Sequence, residues 1–168
     1  MKKLARMLAV LGSVAALLLG VATPSQADDI FMWDPAARYL LQNVNSGQCL
    51  VVQDRDNGNP AFQYPCSNYM DQRWWYTSLE TLVNNNSGRC LEIADWRTDN
   101  GAPARQWQCT GGENQRWRVR SNGWAGIEFI NGHSGKCLVV RTLNSGQQAA
   151  QYDCNNPPYL DQLWRLRA

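Results

Sequence analysis

The chain has 168 residues, with 16 Lys or Arg, 14 Asp or Glu, one histidine and six cysteines, giving a formal net charge of +2. Three of the cations (Lys2, Lys3 and Arg6) lie at the extreme N-terminus, and from residue 28 onward the balance is 13 minus 14, or −1. With its arginines scattered rather than clustered, that part has no electrostatic footprint for nucleic acid or for an anionic membrane surface.

The first segment reads as an export signal. A cationic start is followed by an apolar run from Met7 to Val21, and then by Pro24-Ser25-Gln26-Ala27. The run is too short for a membrane span, and the small-residue end suits cleavage. The expectation is a signal peptide over residues 1–27, cut near Ala27, and a secreted chain of residues 28–168. That length fits one domain with a real core.

A string then recurs three times. The first copy holds Leu41, Asn43, Asn45-Ser46-Gly47 and Cys49-Leu50. The second holds Leu82, Asn84, Asn86-Ser87-Gly88 and Cys90-Leu91. The third holds Phe129, Asn131, His133-Ser134-Gly135 and Cys137-Leu138. Each copy reaches a second cysteine (Cys66, Cys109, Cys154) and ends in Gln-x-Trp at Gln72–Trp74, Gln115–Trp117 and Gln162–Trp164. Repeats of this size cannot bury an apolar face alone and must share one core. The repeats run about 38–79, 80–121 and 122–168, with a small insertion near Asn122–Gly126 and no linker between them.

The six cysteines, even in number and all after residue 27, read as disulfides in an exported chain. Closing each repeat on itself pairs Cys49 with Cys66, Cys90 with Cys109 and Cys137 with Cys154, at separations of 17, 19 and 17 positions. A metal site is disfavoured, because close Cys-x-x-Cys pairs are missing and His133 is the sole histidine. Apolar bursts such as Cys49–Val52 and Lys136–Val140 alternate with turn residues such as Asn57-Gly58, Asn100-Gly101 and Asn144-Ser145-Gly146. This is the pattern of short strands and tight hairpins. No sustained helical period is present.

The threefold Gly-x-Cys-Leu, second cysteine and Gln-x-Trp pattern resembles the ricin B-type lectin family, also called carbohydrate-binding module family 13, over about residues 38–165. The resemblance implies an all-β chain, a β-trefoil with pseudo-threefold symmetry, in the stand-alone form. It implies one potential sugar pocket per repeat. Each would have an acid two residues after the first cysteine, an aromatic two before the second, and an Asn before the Gln of Gln-x-Trp.

A sugar offers vicinal hydroxyls and one apolar face, so carboxylate, amide and aromatic groups together suit it. The second repeat comes nearest: Glu92, Trp107, Asn114 and Gln115, with Asp95 and Trp96 at the rim. Glu92 is a methylene longer than the family's usual Asp. The first repeat has Val51, Tyr64 and Asp71, and the third has Val139, Tyr152 and Asp161; both keep a platform and lose the usual carboxylate.

Simpler readings stand beside these. The three Gln-x-Trp tryptophans are core residues. Trp107 is either a platform or a packing aromatic, and Glu92 either a ligand or a solvated strand acid. The turn asparagines bond local backbone. His133 occupies a turn position; Trp33, Trp75 and Trp124 have no assigned role. No activated nucleophile or carboxylate pair is evident, so an enzyme is not expected, and no cofactor or metal. The partner expected is a glycan or polysaccharide. The alternative is a trefoil that binds protein, as an inhibitor or a carrier subunit.

Overall fold

The computed structural model describes Asp34 and residues 36–168; the expected signal peptide over residues 1–27, and Trp33, lie outside the described residues. Twelve strands follow in three sets of four. The first set is β1 (Tyr39–Asn43), β2 (Cys49–Val51), β3 (Phe62–Tyr64) and β4 (Arg73–Tyr76). The second is β5 (Leu82–Asn84), β6 (Cys90–Ile93), β7 (Ala104–Trp107) and β8 (Trp117–Ser121). The third is β9 (Ile127–Asn131), β10 (Cys137–Val139), β11 (Ala150–Tyr152) and β12 (Trp164–Arg167). Among the described residues the only helical segments are short 3-10 turns, and no helix is long and apolar enough to cross a membrane.

Each repeat starts with the same turn. Asn43 Oδ1 accepts from the backbone N–H groups of Asn45 (3.1 Å) and Ser46 (3.3 Å), and Gly47 follows at φ +70°, a conformation that suits a residue without Cβ. Asn84 and Asn131 do the same. Their amides also reach across the molecule. The Nδ2 groups of Asn43, Asn84 and Asn131 donate to the carbonyls of Asp161 (2.9 Å), Asp71 (2.8 Å) and Asn114 (2.9 Å). The turn asparagine therefore fixes the residue before Gln-x-Trp in the preceding repeat, as well as its own loop.

Six strands close a ring. β1 pairs with β12 and β4, β4 with β5, β8 with β9, and β9 with β12. The bridge between Thr81 and Arg116 completes it. The other six form the hairpins β2–β3, β6–β7 and β10–β11, which meet one another through bridges Pro60–Arg105, Phe62–Gln148 and Pro103–Ala150. A six-stranded ring with three hairpins is a β-trefoil, and closure leaves few free edges.

The shared core holds Leu41, Leu50, Trp74, Leu82, Leu91, Trp117, Phe129, Leu138 and Trp164, all fully buried. Each tryptophan fills volume and also binds backbone. Trp74, Trp117 and Trp164 Nε1 donate to the carbonyls of Leu50 (3.0 Å), Leu91 (2.9 Å) and Leu138 (3.1 Å). One indole thus tethers the strand carrying the first cysteine of its own repeat. Disulfides join Cys49–Cys66, Cys90–Cys109 and Cys137–Cys154, with Cα separations of 4.9, 5.1 and 5.1 Å. Each closes a loop of a size that contributes about 3 kcal/mol through the unfolded state.

The third repeat departs from the other two at Glu128, which is fully buried where the other copies have Leu40 and Thr81. Its carboxylate accepts from Arg120 Nε (2.7 Å) and Nη2 (2.8 Å) and from Asn122 Nδ2 (2.7 Å). The insertion at Asn122–Gly126 is thereby tied to strand β9. The neighbouring sulfurs of Cys137 and Cys154 are in a disulfide, so this group has no thiolate to offer a metal.

Trp117→Phe removes a buried donor and strands the Leu91 carbonyl. It is expected to lower unfolding free energy by about 1–3 kcal/mol, read from urea denaturation of the oxidised protein.

Candidate carbohydrate site

The hairpin β6–β7 sets the second-repeat site by register. Cys90 faces Trp107, Leu91 faces Gln106, and Glu92 faces Arg105. Glu92 is only 4% exposed, at a position where the other hairpins carry buried Val51 and Val139. It is therefore not a solvated strand acid. A buried carboxylate needs donors to offset its lost hydration, and three supply them. Arg105 Nε donates to Oε1 (2.9 Å), while Asn114 Nδ2 (3.3 Å) and Gln115 Nε2 (3.0 Å) donate to Oε2.

Gln115 is itself fully buried and also donates to the Gln108 carbonyl (2.9 Å), while its Oε1 accepts from the Thr110 N–H (2.8 Å). It stands behind the carboxylate and orients it, away from the cleft surface. Asn114 Nδ2 also donates to the Ile93 carbonyl (3.2 Å). Asp71 and Asp161 take the place of Asn114 in the other repeats.

Glu92, Asp95, Trp96, Arg105, Trp107, Thr110 and Asn114 line one cleft of about 230 Å3. The expected residues Glu92, Asp95, Trp107 and Asn114 thus converge. Arg105, absent from the sequence reading, is the hub: its Nη2 donates to Asp95 Oδ1 (2.9 Å), and its Cζ lies 4.7 Å from the Trp107 ring centroid. One face of the indole is therefore already covered by a guanidinium, a favourable cation–π contact. The signal that could have found Arg105 was the register itself, since Arg105 sits two residues before Trp107 and so opposite Glu92.

The rim is strained. Asp95 and Trp96 are consecutive non-glycine residues in the left-handed region, at φ +55° and +54°, each costing roughly 1–3 kcal/mol. Contacts from two sides hold them. Arg105 grips Asp95. His133, from the turn of the third repeat, donates through Nε2 to the Trp96 carbonyl (3.1 Å) and meets the Trp96 ring edge-on at 5.1 Å. The indole lies over Gly112, where a Cβ would come within 2.9 Å of Trp96 Cζ2, so that position admits no side chain. His133 is more than a turn residue, and nothing in its local sequence indicates the contact.

Each aromatic of the expected platform set is backed by a different repeat. A Cβ at Gly58 would stand 3.6 Å from Trp107, one at Gly101 3.3 Å from the Tyr152 hydroxyl, and one at Gly146 3.3 Å from the Tyr64 hydroxyl. In the third repeat Arg141 Cζ lies 4.6 Å from the Tyr152 ring centroid and its Nε is 3.6 Å from Asp161 Oδ2. Burial raises the pKa of Asp161, and Arg141 opposes that shift. Burial likewise raises the pKa of Asp71, against hydrogen bonds from the backbone of Asp71 and Gln72. In both, Oδ1 is buried without a hydrogen-bond partner.

Comparison with known proteins fits this geometry. The ricin-type β-trefoil lectin domain family matches residues 37–164. The chain belongs to that family. Among solved structures, ThreeFoil, a designed 3-fold symmetric protein, is 30% identical with a TM-score of 0.74, over 78% of this chain and 98% of that one. The exo-β-1,3-galactanase 1,3Gal43A from Clostridium thermocellum is 27% identical with a TM-score of 0.74, over 80% of this chain but 31% of the enzyme. The hemolytic lectin CEL-III is 27% identical with a TM-score of 0.64, over 78% of this chain and 30% of that lectin. Comparison with curated protein sequences finds no match.

Two outcomes follow. Arg105→Ala leaves Glu92 buried without its counter-ion and is expected to lower stability by about 2–4 kcal/mol. The double change Glu92→Val with Arg105→Phe, which copies the Val51–Phe62 pair of the first repeat, is expected to restore stability and abolish sugar binding. Thermal denaturation and a binding titration on the same samples decide both.

For Asp71 the folded pKa lies above the unfolded value of about 3.9. The stability it contributes is complete below that value and is lost as pH rises through the folded pKa. Wild type is therefore expected to lose ground to Asp71→Asn as pH rises above about 4, read as the difference in melting temperature.

Proposed function

We propose that the protein is a secreted lectin whose working site is the second-repeat cleft. The observation that carries the proposal is the Glu92 carboxylate, held from behind by Gln115 and from the sides by Arg105 and Asn114, with Asp95 open at the rim. Such a cleft presents acceptors, donors and two indoles around a space fit for one sugar residue. Because these groups are fixed before the ligand arrives, little rotamer freedom is lost on binding.

Membership of the lectin domain family supports a carbohydrate-binding role. Export supports the same reading from the sequence side, through the cationic start and the Met7–Val21 run. A single shallow site of this kind binds weakly, and useful retention comes from repeated units on a polymer.

The test is binding of the oxidised protein to a panel of neutral glycans, with Trp107→Ala alongside. Binding weakened at least about tenfold in the variant, the scale of a lost aromatic contact of 1.5 kcal/mol, supports the second-repeat site. Undiminished binding would move the site to another repeat, and no binding by either protein to these or to acidic glycans would overturn the lectin reading.

A further inference from the structure

The third-repeat cleft is built for a different charge from the second. Its volume is about 220 Å3, and its walls include Pro103, Val139, Arg141, Gln147, Gln148 and Tyr152. Arg141 is the only charged residue lining it. The second-repeat cleft has two carboxylates, Glu92 and Asp95, against one guanidinium, Arg105. With Asp161 beside Arg141, the third repeat is formally neutral here, against one negative charge in the second. Val139 accounts for the difference: it fills the place of Glu92 and leaves the third cleft without a built-in hydroxyl acceptor of that kind.

Arg141 is available. Its one carboxylate partner, Asp161, is 3.6 Å from Nε, well beyond the 2.7–2.9 Å of a charge-assisted hydrogen bond. Neither Nη nitrogen has a hydrogen-bond partner among the described residues, and more than half of the side chain is exposed. Stacking on Tyr152 orders the guanidinium without using its N–H groups. Around it lie the amides of Gln147 and Gln148, able to meet hydroxyls, and the apolar surfaces of Pro103 and Val139, able to meet a C–H face.

We infer that the third-repeat cleft is a site for a carboxylate-bearing sugar, a uronic acid residue, whose carboxylate is taken by the two Nη groups of Arg141. A guanidinium presents paired N–H groups that match a carboxylate, a geometry a neutral sugar does not exploit. This rests on the lectin reading and adds to it a second ligand class at a second place.

The experiment is an NMR titration of the oxidised, isotope-labelled protein with glucuronic acid, glucose and acetate. Glucuronic acid is expected to shift signals around Arg141 and Tyr152 and to bind at least about tenfold more tightly there than glucose, the scale of one charge-assisted hydrogen bond. Arg141→Gln is expected to erase that preference, and Arg141→Lys to restore only part of it, because an ammonium is a point charge. Equal binding of glucose and glucuronic acid at this cleft would overturn the inference. So would acetate matching glucuronic acid, which would show a bare anion site, or glucuronic acid going to Trp107. In each of those cases a neutral glycan still bound at the second repeat leaves the lectin reading intact; failure of every sugar would overturn both.

Discussion

Three alanines hold the molecule together at its pseudo-threefold axis. The N–H of Ala61 donates to the Ala104 carbonyl (3.0 Å), that of Ala104 to Ala149 (2.8 Å), and that of Ala149 back to Ala61 (2.8 Å). The ring closes on itself, and all three residues are fully buried. Each hairpin supplies one donor and one acceptor, so no hairpin can dock without both neighbours. Only a small side chain fits where three backbones converge, and extra methylenes there would cost about 1–3 kcal/mol in overpacking. The same constraint sets how each repeat overlaps the next. Gly58, Gly101 and Gly146 donate to the carbonyls of Gln106 (2.9 Å), Gln151 (2.8 Å) and Gln63 (2.8 Å). The glutamine side chains return the bond: Gln106 Nε2 donates to Asp54 and Asp56, Gln151 Nε2 to Arg97 and Asp99, and Gln63 Nε2 to Thr142 and Asn144. A cleft in one repeat therefore has a wall from another, which is why Trp107 rests on Gly58.

On that shared frame the three clefts diverge through a few side chains. The cross-strand pair is Glu92–Arg105 in the second hairpin, Val51–Phe62 in the first and Val139–Ala150 in the third. Exchanging a buried ion pair for apolar residues of similar shape costs a fold little, so charge at this position is free to follow function. The arginine also changes place. It rises from β7 in the second repeat and from the loop after β10 in the third, yet in both it lies over the aromatic before the second cysteine. The first repeat shows no such contact among the described residues. Its Asp71 keeps a raised pKa through burial alone.

Much of this was legible in the residues, because a string repeated three times carries its own alignment. The disulfide pairs, the buried Gln-x-Trp tryptophans and the strand–turn alternation all follow from positions that recur in every copy. What escaped is long-range or specific to one repeat. Ala61, Ala104 and Ala149 are unremarked small residues until three chains meet around them. Arg105 matters only once the β6–β7 register is known. The His133–Trp96 contact joins residues 37 positions apart; its counterpart one repeat earlier is Arg55 on Asn86, made by different side chains, so no shared residue type marks it. The motif places Gln115 among the ligands, but its burial and its bonds to Gln108 and Thr110 make it a support for Glu92.

The strain at Asp95 and Trp96 shows how such a support works energetically. Two adjacent left-handed residues are unfavourable unless the surroundings over-determine them. Here the determination comes from both neighbours of the loop: Arg105 on one side, within the same repeat, and His133 on the other, from the next. Arg105 is in turn fixed by Glu92, and Glu92 by Gln115, whose own amide is anchored on the Cys109 loop. The rim is thus connected to the disulfide-closed core by an unbroken series of hydrogen bonds. A ligand that displaced Arg105 from Trp107 would act on every member of that series. The second cleft is consequently better suited to a sugar that joins the Glu92–Arg105–Asp95 network than to one that replaces it.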